Sequence, residues 1–212
     1  KAGMVACLYD EDKWPSGFGG GRVTEDDRLA QRYLLFSSKR YEDGDYRREK
    51  HTSGRLTEDG KISMVAAYSV ALDAEKLVSY KRVDLKCDEA DYFAYIVVTK
   101  ALSWFNNRPY ADISNPKAVD AFIECTHERY KEALGDRLNK GIWRIFTDEP
   151  QFSRVENLSS IVGEAGIPWT ERFDEAYHER YGKKLVDSLP ELFFERADDE
   201  PAVVRYNYMN LL

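Results

Sequence analysis

Two short runs of mostly apolar residues place the strongest constraint on this chain: Gly3-Met4-Val5-Ala6-Cys7-Leu8-Tyr9 and Ile142-Trp143-Arg144-Ile145-Phe146. Neither shows the period-2 alternation of a half-exposed strand. Continuous apolar character over this length is expected of strands covered on both faces, as in the parallel sheets of α/β layer proteins. Each run ends in turn-forming residues. The first gives way to Tyr9-Asp10-Glu11-Asp12-Lys13-Trp14-Pro15-Ser16-Gly17-Phe18-Gly19-Gly20-Gly21, the second to Thr147-Asp148-Glu149-Pro150. If the two strands are parallel neighbours, both polar segments open onto one end of the sheet, where ligands bind in such folds.

The residues between them suggest a helix and a β-rich excursion. Asn115-Pro116 reads as an N-cap followed by proline at the first helical position, and Val119, Phe122, Ile123, Tyr130 and Leu134 keep one apolar face to about Leu138. Strand, helix, strand then implies a right-handed parallel unit. Thr24 resembles a second N-cap, predicting a helix through about Phe36, and the charged stretch 37–60 reads as loop outside the core. Residues 62–72, 77–83 and 92–99 are rich in β-formers and separated by short polar turns, which predicts three antiparallel strands. Past Pro168-Trp169-Thr170 the pattern is helical over about 171–181, 185–194 and 203–212.

Composition narrows the function classes. The 212 residues are 43% hydrophobic and 33% charged, as in a globular protein, and carry a formal charge of -7, which argues against nucleic acid as partner. No apolar run approaches the ~20 residues of a membrane-spanning helix, so the chain reads as soluble and without a membrane partner. Cys7, Cys87 and Cys125 are odd in number and far apart; they read as buried thiols and lean intracellular, whereas a removed leader would allow a periplasmic or secreted protein. The three histidines have no metal-ligand spacing and read as surface residues. Neither a metal nor a cofactor is expected. The glycines at 17 and 19–21 match neither phosphate-binding glycine motif.

Glu149 is the candidate catalytic residue, at the carboxyl end of a strand and before a proline. The like charge of Asp148 and partial burial would favour the protonated carboxyl that a general acid needs. The plainer alternative is a polar strand terminus. Asp10, Glu11 and Trp14 in the first loop, with Asp148 and Trp169, suit a sugar, whose hydroxyls pair with carboxylates and whose C–H face stacks on an aromatic ring. Simple packing is the competing account of each tryptophan.

Residues 8–21, with Asn115-Pro116 leading into Phe122-Ile123-Glu124-Cys125-Thr126-His127-Glu128-Arg129-Tyr130, with Ile145-Phe146-Thr147-Asp148-Glu149-Pro150-Gln151, and with Pro168-Trp169-Thr170, Arg180-Tyr181-Gly182 and Leu189-Pro190-Glu191-Leu192-Phe193, resemble large bacterial glycoside hydrolases similar to α-L-rhamnosidases. The resemblance implies a (β/α)8 catalytic barrel in which Glu149 protonates the departing glycosidic oxygen, its partner carboxylate lying on a later strand that this chain does not reach. A complete barrel takes ~250 residues. The expected architecture is therefore α/β: one partial (β/α)8 (TIM-type) barrel over residues 1–212, with a small antiparallel β insertion at about 40–105. The chain would be a fragment of the catalytic domain, nearly inactive alone, with open sheet edges that invite self-association. A carbohydrate-binding or assembly module without catalysis is the alternative.

Overall fold

The computed structural model describes residues 6–48, 57–138, 140–152, 163–198 and 200–212. The chain forms two compact units, one drawn from Lys1–Gln31, Ser53–Thr57 and Thr99–Phe152, the other from Arg32–Thr52, Glu58–Val98 and Ser153–Leu212.

In the first unit, β1 (Ala6–Tyr9) and β7 (Ile142–Phe146) pair in parallel, with Leu8 opposite Ile145 and Tyr9 opposite Phe146. The parallel relation read from the sequence is therefore present. The expected burial is not, since Trp143 is 68% and Phe146 55% exposed within the chain. Helix α1 (Pro116–Ile123) starts where expected: Asn115 accepts a hydrogen bond from the Lys117 N–H at 3.1 Å and Pro116 follows it. It runs through a π-helical turn at Glu124–Glu128 into α2 (Arg129–Leu134), and Gly135 follows with a positive φ. The stretch from Thr24, expected to begin a helix, instead belongs to a run of three short 3-10 turns over residues 19–29, with Asp26 accepting from the Arg28 N–H. A core of Phe18, Val23, Phe105, Tyr110, Ala118 and Phe122 joins the loop after β1 to α1.

The second unit is built on a six-stranded sheet of β2 (Arg32–Ser37), β3 (Gly44–Tyr46), β4 (Gly60–Asp73), β5 (Lys76–Val83), β6 (Tyr92–Thr99) and β8 (Glu164–Trp169). Strand β2 lies between β6 and β8, antiparallel to both, and β4 pairs antiparallel with β3 and then with β5. Both faces of β2 are buried. Leu34 and Phe36 enter one core with Tyr68, Ala94 and Ile167, while Tyr33 and Leu35 enter another with Ala67, Tyr95 and Val97. The first of these cores is closed by α3 (Phe173–Tyr181), α4 (Leu189–Phe193) and α5 (Val203–Leu211), and Phe36 stacks on Phe193 at 4.5 Å.

This architecture overturns the partial (β/α)8 barrel. Among the described residues β1 and β7 form a lone parallel strand pair beside a mainly antiparallel sheet, helices are few, and strands do not alternate with helices. The antiparallel sheet is no small insertion at 40–105, because β2 and β8 lie outside that range and β2 joins two of its strands. The predicted helix to Phe36 is β2: a strand buried on both faces loses its alternation and cannot be told from a buried helix by period. The stretch 37–60 contributes β3 and buries Tyr46, Glu58 and Asp59, so its described part is not merely solvated loop; His51 and Gly54 lie outside the described residues. Cys7 is exposed and Cys87 and Cys125 half-buried, all three as free thiols and none a core residue. No described helix is long and apolar enough to cross a membrane.

Strands β4 and β5 are joined by Ala74-Glu75 with φ of 47° and 69°, the two-residue turn geometry that favours Asn-Gly. Left-handed backbone costs an L-residue roughly 1–2 kcal/mol. Replacing Ala74 by Asn and Glu75 by Gly together should stabilise the sheet by about 1 kcal/mol, read as a higher midpoint in urea denaturation.

Candidate functional site

The loop after β1 turns its first two acids inward. Asp10 is 1% exposed; its Oδ1 accepts from the Ser16 hydroxyl at 2.7 Å and its Oδ2 from the Thr147 hydroxyl at 2.5 Å. Ser16 in turn grips the end of β7, its Oγ accepting from the Asp148 N–H at 2.9 Å and its own N–H donating to the Asp148 carbonyl at 2.8 Å. The Asp10 N–H donates to the Phe146 carbonyl at 3.2 Å, extending the parallel ladder by one step. The two polar segments that follow the strands are thereby sewn together at one end of the pair.

Glu11 is held more tightly still. Its Oε2 accepts from the N–H groups of Gly17, Phe18 and Gly19 at 3.1, 2.9 and 2.8 Å, and its Oε1 from those of Gly20 and Asp12 at 2.7 and 2.8 Å. Successive N–H groups can converge on an anion because Gly17, Gly19 and Gly20 have φ of 127°, 56° and 62°. At Gly19 a Cβ would lie 2.5 Å from the Cys125 Sγ, so only glycine fits there without displacement. Burial pushes the Glu11 carboxyl up from its ordinary value, while the N–H groups of Asp12, Gly20, Gly19 and Gly17 pull it down. The glycine cluster that loosely suggests phosphate binding is thus an anion nest already filled by the chain's own glutamate.

Glu149, Asp148 and Trp14 are brought together at the rim. Glu149 is exposed and its Oε2 accepts from the Trp14 indole N–H at 3.2 Å. The Trp14 carbonyl accepts from the Trp104 indole N–H at 2.7 Å, which fixes the segment around the cis Trp14–Pro15 bond. Asp148 accepts from the Tyr9 hydroxyl at 3.1 Å. Glu149 has φ of 42°, a conformation that costs a non-glycine residue of order 1–3 kcal/mol and persists only where its surroundings impose it. The partial burial expected of Glu149 is not met. Thr147 and Pro150, on either side of the acid pair, line a hollow of about 500 Å3 with Phe122, Ile123 and His127. Asp10 and Glu11 border a separate, more polar cleft of about 610 Å3 with Arg22, Arg129 and Tyr130.

Trp169 takes no part in this arrangement. In the second unit it is 7% exposed and packs on Phe173 at 5.1 Å, a core residue of the antiparallel sheet. Ser16, Thr147 and His127, which hold the loops, carry no sequence signal of that role. His127 is not a free surface residue: its Nε2 lies 3.6 Å from the Asp10 Oδ2 and its Nδ1 2.9 Å from the Thr126 hydroxyl. Among the described residues no three His, Cys, Asp or Glu side chains converge as metal ligands. No protein-family model, curated protein or solved structure matches the chain.

Two outcomes follow from this geometry. Glu11→Gln replaces one acceptor oxygen by an amino group that faces N–H donors; the cost should be about 1–3 kcal/mol, seen as a lower melting temperature. The Tyr9 phenol, half-buried and donating to Asp148, is pushed up from 10.0 to about 12 by desolvation and by the Asp148 carboxylate. A raised folded-state value means that its contribution is fully present below pH 10 and is lost as pH rises towards 12. The stability difference between the wild type and Tyr9→Phe, measured by urea denaturation, should therefore be constant below pH 10 and shrink across that window.

Proposed function

We propose that the chain carries part of a carbohydrate-hydrolysing site, in which Glu149 is the general acid towards a glycosidic oxygen, Asp148 modulates it, and Trp14 shapes the sugar-facing surface. The observation that carries this reading is the meeting of the two strand-end loops, which sets an exposed carboxylate against an indole at the carboxyl ends of parallel β1 and β7. Ligands of α/β sheets bind at that end of the strands. An acid so placed reaches a bound sugar without desolvation of its own, and an indole face beside it suits the apolar side of a pyranose. The motif resemblance to α-L-rhamnosidases supports the same chemistry and the same residue.

Glycoside hydrolysis takes two carboxylates across the scissile bond. Here Asp10 and Glu11 are withdrawn into the loop, and Asp148 holds Tyr9, which favours as second reading a module that binds carbohydrate without cleaving it. The hydrolytic reading needs a second carboxylate that Asp10, Glu11 and Asp148, so engaged, do not supply.

Release of nitrophenol from a panel of aryl glycosides, run beside calorimetry with oligosaccharides, separates the two. In the protein that shows turnover, Glu149→Gln should lower kcat by at least a thousandfold for substrates with poor leaving groups and leave sugar binding within a few-fold. Unchanged turnover excludes Glu149 as the acid; binding without turnover selects the second reading.

A further inference from the structure

Asp10 is a carboxylate withdrawn from water, and a buried charge is tolerated only where opposite charge and hydrogen-bond donors surround it. Its two hydrogen-bond donors from side chains are the hydroxyls of Ser16 and Thr147, both neutral. Among the described residues no lysine or arginine reaches ion-pair distance of it. The one basic side chain that does is His127, 3.6 Å from Oδ2. That same oxygen accepts from Thr147, the residue that opens the turn carrying Asp148 and Glu149. His127 projects from the π-helical turn at Glu124–Glu128, an irregularity often found at functional sites, and it is steadied by Thr126 on its other nitrogen. Its ring also lies edge-on to Phe122 at 5.6 Å, so the imidazole is fixed on three sides.

We infer that Asp10 and His127 form a positioning pair for the Thr147–Glu149 turn, with the imidazole Nε2 set against the carboxylate oxygen that holds Thr147. Neither residue is assigned contact with a ligand; both act through the turn. Removing the imidazole leaves Asp10 without its basic neighbour, slackens the hold on Thr147, and lets Glu149 leave its left-handed conformation and the Trp14 indole. The catalytic weight of the pair rests on the hydrolase reading, whereas its hold on the turn does not.

The Trp14 indole N–H reports directly on the place of Glu149. The chain has four tryptophans, so a 15N-labelled sample gives four indole signals, and Trp14→Phe identifies the one required. Glu149→Ala supplies the reference displacement for loss of the bond. His127→Phe and Asp10→Asn should each move the Trp14 signal by at least half of that displacement, while His127→Gln, whose side-chain amide places a polar group near the position of Nε2, should keep most of the wild-type position. A Trp14 signal unmoved in folded His127→Phe overturns the inference, as does global unfolding of that variant, which would make His127 a core residue and no positioning group. Where turnover is present, His127→Phe should lower kcat about tenfold with KM unchanged within twofold. A displaced Trp14 signal in a protein without turnover keeps the pair and rejects the hydrolase reading.

Discussion

The first unit depends on one carboxylate kept out of water. Asp10 follows directly from β1, and its surroundings are drawn from three separate segments: Ser16 from its own loop, Thr147 from the end of β7, and His127 from the helical turn between α1 and α2. A buried anion without polar partners costs several kcal/mol, and the donors here come from the segments carrying Ser16 and Thr147, with His127 beside them. Their convergence joins the strand ends more firmly than the short ladder of β1 and β7, which alone is a two-stranded sheet of marginal stability.

Adjacent carboxylates in this loop have different roles because they meet water differently. Asp10 and Glu11 are consumed in holding the backbone, the one through hydroxyls and the other through five N–H groups. Glu149 keeps one carboxylate oxygen on the Trp14 indole and remains exposed, and Asp148 keeps the Tyr9 phenol. Glu149, in the turn after β7, thus faces water, and Asp10 and Glu11 support the loop beside it.

The residues that were legible and those that were not differ in a physical way. The Asn115-Pro116 start of α1, the three antiparallel strands over 60–99 and the helix over 173–181 were readable because capping, runs of β-formers between polar turns, and helical spacing are local. Strand β2 was not, because both its faces are buried and Tyr33-Leu34-Leu35-Phe36 keeps no period. Strand β8 was hidden by Gly166 and Pro168, which normally end strands; among the described strands β8 lies at the sheet edge, where proline is tolerated. The π-helical turn that presents His127 leaves no mark in a pattern of three- and four-residue steps.

The amino-acid sequence by itself determined that two apolar strands far apart in the chain run in parallel and end in acidic, aromatic and glycine-rich turns, and it drew attention to Glu149 and Trp14. Tertiary structure alone decided that β2 and β8 extend the antiparallel strands into one larger sheet, that Trp169 is core, and that Asp10 and Glu11 face inward while Glu149 faces water. Residue types and spacing record what a segment can do, but the exposure of a carboxylate is set by the donors that distant segments bring to it, and those leave no trace beside it in the chain.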